Sequence, residues 1–109
     1  MEVTYADFKK LEMKVGTVQS AERIPKTEKL YKLQVDIGEK RVQIVSSIVP
    51  YYAAEELVGK RIVVLTNLAP TKFGEERSDG MLLCAETEDG KTCVLLTTDK
   101  EVPAGVPIT

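Results

Sequence analysis

Apolar and polar residues alternate along several short stretches of this chain, and a period of two is the pattern of half-buried β-strands. The alternation predicts five strands and a shorter final one, at residues 13–23, 30–37, 40–44, 61–67, 81–87 and 91–96. Gly16 interrupts the first strand, and a glycine inside a strand pattern indicates a bulge or a sharp bend, as at a barrel corner. The chain is therefore expected to be built mainly of strands.

Two short stretches favour helix instead. The residues Thr-Tyr-Ala-Asp at 4–7 have the pattern of a capping box, which predicts a short helix over residues 5–10 with Phe8 packed inwards. The second stretch follows a proline that can open a helix, covers residues 53–57, and is followed by Gly59, which fits the position after a helix end. This second helix lies between the third and fourth predicted strands.

Three strands, a helix and then two or three strands, joined by short turns, is the order of an OB-fold. The predicted fold class is therefore all-β: a five-stranded Greek-key barrel with a short N-terminal helix and a helix between strands 3 and 4. An extended C-terminal tail, stiffened by proline, is expected at residues 102–108. At 109 residues, the chain is long enough for one core, so residues 1–109 are expected to form a single domain.

An OB-fold binds its ligand on strands two and three and on the loops that join strands one to two and four to five. In this chain those loops are residues 23–29 and 68–79, and both contain lysine. The second loop is longer and more highly charged than a connection between two strands requires. Such a loop on a barrel is typical of a scaffold that presents a binding site.

Composition limits the functions that these loops can have. The formal net charge is −2 and the sequence pI is about 5.2, whereas nucleic-acid-binding domains are more often basic. The cations nevertheless concentrate in the middle of the chain: Lys26, Lys29, Lys32, Lys40, Arg41, Lys60, Arg61, Lys72 and Arg77. A local basic surface on an acidic protein is therefore expected.

Catalytic and metal chemistry are poorly supported. The chain has no histidine, which removes the usual general base, and it has two cysteines, too few for a zinc site without histidine. If a turn at Asp89-Gly90 joins two strands, Cys84 and Cys93 are diagonal neighbours, too far apart for a disulfide, and two free, largely buried thiols are expected. No enzyme activity, metal or cofactor is predicted.

The sequence also contains no apolar run near the ~20 residues that span a bilayer and no signal-peptide core. No membrane partner is expected, and a cytoplasmic location is the default prediction.

Several separated motifs resemble one known family. They include Phe8-Lys-Lys-Leu-Glu-Met-Lys-Val-Gly-Thr-Val, Lys29-Leu-Tyr-Lys-Leu-Gln-Val-Asp-Ile-Gly, Asn67-Leu-Ala-Pro, Ser78-Asp-Gly-Met-Leu-Leu and Val102-Pro-Ala-Gly. In this order they resemble the tRNA-binding domain found at the C-terminus of many methionyl-tRNA synthetases and as free-standing tRNA-binding proteins. The resemblance covers nearly the whole chain. It implies an OB-fold, often dimeric through the chain ends, that binds the outside corner of tRNA without catalysis and has tRNA and a methionyl-tRNA synthetase catalytic subunit as partners.

The resemblance also implies a set of tRNA-binding residues. Lys29 and Lys72 would neutralise phosphates, while Asn67 and Ser78 would bond phosphate or ribose 2′-hydroxyl groups. Met81 would offer a polarisable apolar contact. The complete predicted set is Lys29, Asn67, Lys72, Ser78, Met81, Tyr31, Arg77 and Lys26, with Tyr31 considered as a surface for base stacking.

Other interpretations of the same residues stay open. Asn67 can hold the strand end, Ser78 can form a turn, and Met81 can belong to the core. Lys26, Lys32, Lys40 and Arg41 can be solvated surface rather than contacts. The chain also departs from the family after Lys72, where Phe73-Gly74-Glu75-Glu76 stands in place of the frequent Arg and Gly. Two carboxylates beside a phosphate site should lower affinity.

Two further functions compete with RNA binding. Dimeric export chaperones that bind unfolded polypeptide share this fold, and the acidic pI favours them, although they generally lack the glycine and methionine of Gly80-Met81. A dimerisation appendix of a synthetase is the third hypothesis. Apolar residues near both chain ends are expected to bury against a second copy: Val3, Tyr5, Phe8, Val102, Val106 and Ile108.

Overall fold

The computed structural model describes all 109 residues, and its elements alternate in the predicted order. They are α1 (Tyr5–Lys9), β1 (Met13–Arg23), β2 (Tyr31–Asp36), β3 (Arg41–Ser46), α2 (Ala54–Leu57), β4 (Arg61–Leu65), β5 (Thr71–Phe73), β6 (Glu76–Ser78), β7 (Met81–Leu82), β8 (Cys84–Glu86) and β9 (Cys93–Leu95). Neither of the two short helices has the length or apolar character needed to cross a membrane.

The main sheet is antiparallel and has the strand order β3-β2-β1-β4-β7, while β5–β6 and β8–β9 are separate hairpins. The long strand β1 serves two neighbours, since its first half, Met13 to Thr17, pairs with β4 and its second half pairs with β2. When one long strand pairs with different neighbours along its two halves, the sheet curls on itself. The result is a nearly closed all-β barrel, and the predicted OB-fold is confirmed.

The core follows directly from the alternation in the sequence. On β2 every second residue is buried, and the strands beside it supply the facing residues of one cluster of 13 buried side chains. Leu57 of α2 is fully buried in this cluster, so the helix between β3 and β4 covers one end of the barrel. Gly59 follows this helix with φ 91°, the left-handed conformation expected after a helix end.

The barrel closes between β3 and the C-terminal end of β6, where a serine hydroxyl takes the place of a regular ladder. The Ser78 hydroxyl accepts from Val45 N at 2.9 Å and donates to Gly80 O at 2.9 Å. Next to it, Asp79 N donates to Gln43 O at 2.8 Å. Gly80 fits only without a side chain, because a Cβ there would lie 2.7 Å from Leu65 O. Ser78 and its neighbours therefore join the two edges of the sheet.

Four details of the sequence prediction were wrong. The region predicted as the loop 68–79 contains the hairpin β5–β6, and the fifth strand is interrupted at Leu83, whose N–H donates to Val63 O. The bulge of β1 lies between Val18 and Ser20 rather than at Gly16. Gly16 is required by close packing instead, since a Cβ would lie 2.6 Å from Val35 Cγ1. Phe8 is only half-buried, and no residue of α1 is buried.

The extended C-terminal tail is confirmed, and it is bonded to β1. Val15 N donates to Val106 O, Gly105 N donates to Val15 O, and Ile108 N donates to Met13 O, at 2.7–2.9 Å. The tail thus lies along the side of β1 that β4 does not occupy. As a result its apolar residues are half-buried on their own barrel, whereas Val3 and Tyr5 at the other chain end remain 72% and 76% exposed.

Because Ser78 closes the barrel, we expect Ser78→Ala to lower the free energy of unfolding by about 1–3 kcal/mol, the cost of leaving buried backbone groups without partners. Ser47→Ala is the matched control, since Ser47 is exposed and its hydroxyl makes no hydrogen bond within the chain; its effect should stay within about 0.5 kcal/mol. Urea denaturation of the three proteins measures both values. Equal midpoints for the two variants would contradict the role given to Ser78.

Candidate nucleic-acid interface

The hairpin β5–β6 lies across the outer face of β2 and β3, and side-chain contacts hold it there. Glu76 forms an ion pair with Lys32 at 3.3 Å and accepts from Gln43 Nε2 at 3.3 Å. The same Gln43 amide donates to Arg77 O at 2.8 Å. Together with the buried Ser78, these contacts fix the inner face of the hairpin, so its outer face is presented to solvent in a defined position.

That outer face carries two cations side by side. Lys72 and Arg77 are directly opposite each other in the hairpin, and such residues share one face with Cβ atoms about 5 Å apart. Like charges in this arrangement repel each other. Arg77 is partly compensated by Asp79, to which its Nε donates, whereas Lys72 has no ion pair. An anion bound above the pair would relieve the repulsion.

A cleft of about 680 Å³ separates the hairpin from the connection between β1 and β2. Lys26, with Ile24 and Thr27, lines one wall, and residues 73–76 line the other. The two cation-bearing segments therefore lie on the same side of the barrel. Lys29 is exposed at the end of the first segment, and neither Lys26 nor Lys29 forms an ion pair.

The two carboxylates at the hairpin tip are not equivalent. Glu76 is half-buried and paired with Lys32, which also pairs with Glu22 at 3.1 Å. The hydrogen bonds to Glu22 and Glu76 hold the pKa of Lys32 above its usual value, so this lysine remains charged at neutral pH. Only Glu75 is exposed, so the acidic sequence at the tip leaves one free carboxylate beside the cleft.

A more apolar groove of about 350 Å³ adjoins the first cleft, and Leu30 and Phe73 line both. Met81 is 43% exposed and lines this groove, so it is placed at the surface where an apolar contact with a ligand is possible. The cysteines form the far wall.

Both thiols are free, as the sequence indicated, with Cys93 buried and Cys84 half-buried. Burial and then the hydrogen bond with Cys93 raise the pKa of Cys84 to about 12, so the thiol is protonated at neutral pH and is a poor nucleophile.

Three residues of the predicted binding set have roles inside the fold. Tyr31 is 3% exposed and its hydroxyl donates to Tyr52 O at 2.6 Å, so its ring cannot stack on a base without leaving the core. Both bonds of the Ser78 hydroxyl are internal. Asn67 accepts from Glu12 N at 2.9 Å and donates to Lys10 O at 2.7 Å, which ties the end of β4 to the segment after α1.

The residues that position the hairpin, Lys32, Gln43 and Glu76, are not among the predicted site residues. Lys32 and Gln43 are ordinary exposed-face residues of β2 and β3 by their pattern, and their partner Glu76 is more than 30 positions away in the chain. No local signal marks such a contact. By their pattern Lys40 and Arg41 can be solvated surface, but in the structure both line a second cleft on the other side of the hairpin.

This barrel, with its two cation-bearing segments beside β2 and β3, defines an OB-fold domain of the class that binds oligonucleotides. Within that class, the chain belongs to the tRNA-binding domain family, whose family model matches residues 13–107. The matched family describes a binding domain rather than a catalytic one.

Individual relatives support this assignment. The chain is 50% identical over 107 residues to a methionine–tRNA ligase of Archaeoglobus fulgidus. The aligned region covers 98% of this chain but only 16% of that protein. It therefore spans about one sixth of the length of the curated relatives it matches. Among solved structures, a MetRS-related protein from Pyrococcus horikoshii is similar with a TM-score of 0.91 and 45% identity, with both chains covered completely. The chaperone CsaA from Bacillus anthracis is similar with a TM-score of 0.90 and 31% identity, again over the whole of both chains.

Proposed function

We propose that this chain is a non-catalytic, structure-specific tRNA-binding module that raises the tRNA affinity of a methionyl-tRNA synthetase, as its C-terminal domain or as a separate beta subunit. The observation that carries the proposal is that the segment bearing Lys26 and the hairpin bearing Lys72 face each other across one cleft, and that neither lysine has an ion pair. The family assignment and the synthetase relatives support it. A cytoplasmic location and action of residues 1–109 as one unit belong to the same proposal.

The contacts that we assign are mainly to phosphate. Lys26, Lys29, Lys72 and Arg77 are exposed and would neutralise backbone charge, which gives affinity without reading sequence. Met81 would pack against a ribose or base at the groove beside them. In this assignment Asn67, Ser78 and Tyr31 act indirectly, because they hold the strand ends and the core that position the cations.

Removing two of these cations should weaken tRNA binding in a way that depends on salt. For Lys29→Ala/Lys72→Ala we expect the slope of log affinity against log salt concentration to fall by about 0.7–0.9 for each lost phosphate contact. A fluorescence anisotropy titration of tRNA between low and moderate salt measures the slope. The matched control is Lys91→Ala/Lys100→Ala, which removes the same charge from exposed positions outside the two cation-bearing segments and both clefts.

Equal slopes for the double variant and its control would count against the assigned contacts. No specific tRNA binding by the wild-type chain at low salt would overturn the proposed function itself.

A second candidate is binding of unfolded polypeptide, as in a dimeric export chaperone. The groove lined by Leu30, Phe73 and Met81 favours it, because an apolar groove suits an extended peptide, and CsaA has a similar structure. The same titration separates the two. Binding of an unfolded peptide that survives high salt and is not displaced by tRNA would favour the chaperone-like function over the RNA-binding function.

We also propose that two copies associate through the N-terminal segment. Val3 and Tyr5 are large apolar residues that the barrel leaves uncovered, and α1 buries no residue of its own. A symmetric contact between two such surfaces would cover both at once.

On this proposal, the chain sediments as a dimer at micromolar concentration, and Val3→Glu/Tyr5→Glu sediments as a monomer because a carboxylate at each position opposes burial. Val94→Glu is the control, since Val94 is 47% exposed on a different hairpin. Sedimentation velocity distinguishes the species. A monomeric wild-type chain would disprove the association.

A further inference from the structure

A second cleft, of about 590 Å³, lies on the side of the β5–β6 hairpin away from Lys26. Its floor is polar and includes Gln34 and Gln43, whose side-chain amides bond each other at 2.9 Å. Lys40 and Arg41, from the turn into β3, form one wall, and Arg77 of the hairpin lies opposite. A concave polar surface bordered by cations on two sides is suited to an anionic ligand.

The positive charge of this cleft is not cancelled within the protein. Neither Lys40 nor Arg41 forms an ion pair. The residue opposite Arg41 in the ladder is Asp36, but its carboxylate is turned to the β2–β3 turn, where it accepts from Gly38 N at 2.8 Å. The one carboxylate that lines the cleft, Asp79, accepts from Arg77. The cleft therefore has a net excess of positive charge in a protein whose overall charge is negative.

The two clefts are separated by one narrow ridge. The hairpin is two strands wide, with Lys72 and Arg77 on its outer face, and Arg77 belongs to the second cleft while the tip residues belong to the first. Cations thus occur on the ridge and on both sides of it. This arrangement matches a ligand with two neighbouring lines of phosphate, as in the wide, shallow minor groove of an A-form RNA helix.

We propose that Lys40 and Arg41 form a second phosphate-binding subsite, so that a structured RNA places one phosphate strand in each cleft with the β5–β6 hairpin between them. This inference rests on the proposed RNA-binding function and extends it to residues beyond the two loops. In this proposal Lys40 and Arg41 contact only the phosphate backbone of the RNA. They therefore contribute equally to the affinity for all RNAs with the same helical shape.

The test compares Lys40→Ala/Arg41→Ala with Lys91→Ala/Lys100→Ala in the same tRNA titration. We expect the first variant to bind tRNA about 1.4- to 5-fold more weakly for each removed cation, the range of an exposed ion pair. Its salt slope should fall by about 0.7–0.9 for each lost contact. Arg41→Lys, which keeps the charge, should retain most of the affinity. Circular dichroism of each variant confirms that the barrel is intact, since both residues are exposed.

A second ligand separates the subsite from a general effect of charge. On single-stranded oligouridylate, which lacks a paired second strand, Lys40→Ala/Arg41→Ala should bind like the control. Two results would overturn the subsite and leave the proposed function standing. One is an equal loss of affinity for tRNA and for oligouridylate. The other is a salt slope for tRNA equal to that of the control, while Lys29→Ala/Lys72→Ala lowers the slope. A wild-type chain without salt-dependent tRNA binding would overturn both.

Discussion

The hydroxyl of Ser78 joins the two edges of the barrel, and the position of the binding surface depends on that junction. The residues that close the sheet onto β3 are Ser78, the last residue of the hairpin β5–β6, and Asp79 after it, so the hairpin cannot shift without opening the seam. Glu76 adds a second attachment, to Lys32 and Gln43, on the outside of the same strands. The hairpin is therefore fixed at its base from the inside of the barrel and along its length from the outside. Preorganisation of this kind reduces the ordering cost when a ligand binds.

Electrostatic pairing explains how an acidic protein can present a basic surface. Lys32 lies between Glu22 and Glu76, pairs with both, and so offsets the charge of Glu76 at the cleft wall. Asp79 and Asp36 are occupied by an arginine and by a backbone N–H, respectively. The cations without an ion pair include Lys72 on the hairpin and, on the segments beside it, Lys26, Lys29, Lys40 and Arg41. Net charge is therefore a poor guide to the charge that a ligand meets at short range, because salt screens distant charges beyond about 10 Å.

The fold could be predicted from the sequence where one strand buries a single face. On β2 the alternation of apolar residues corresponds residue by residue to burial, and Gly59 marks the helix end as expected. The hairpin β5–β6 could not be predicted, because its strands have three residues each and are held by partners far away in sequence. The predicted site was affected in the same way. Pattern alone identified the cation-bearing segments, but it could not show that the hydroxyls of Tyr31 and Ser78 point inwards.

The bonds between the C-terminal tail and β1 have a consequence for solubility. A strand edge with free N–H and C=O groups is a template on which a strand of another molecule can add, and proteins usually cover or interrupt such edges. Here the tail occupies the exposed side of Met13 to Val15, and the prolines at 103 and 107 leave it few donors of its own to offer. The tail therefore acts as a built-in protection against uncontrolled β-sheet growth, and shortening it would create an aggregation-prone edge on an otherwise intact barrel.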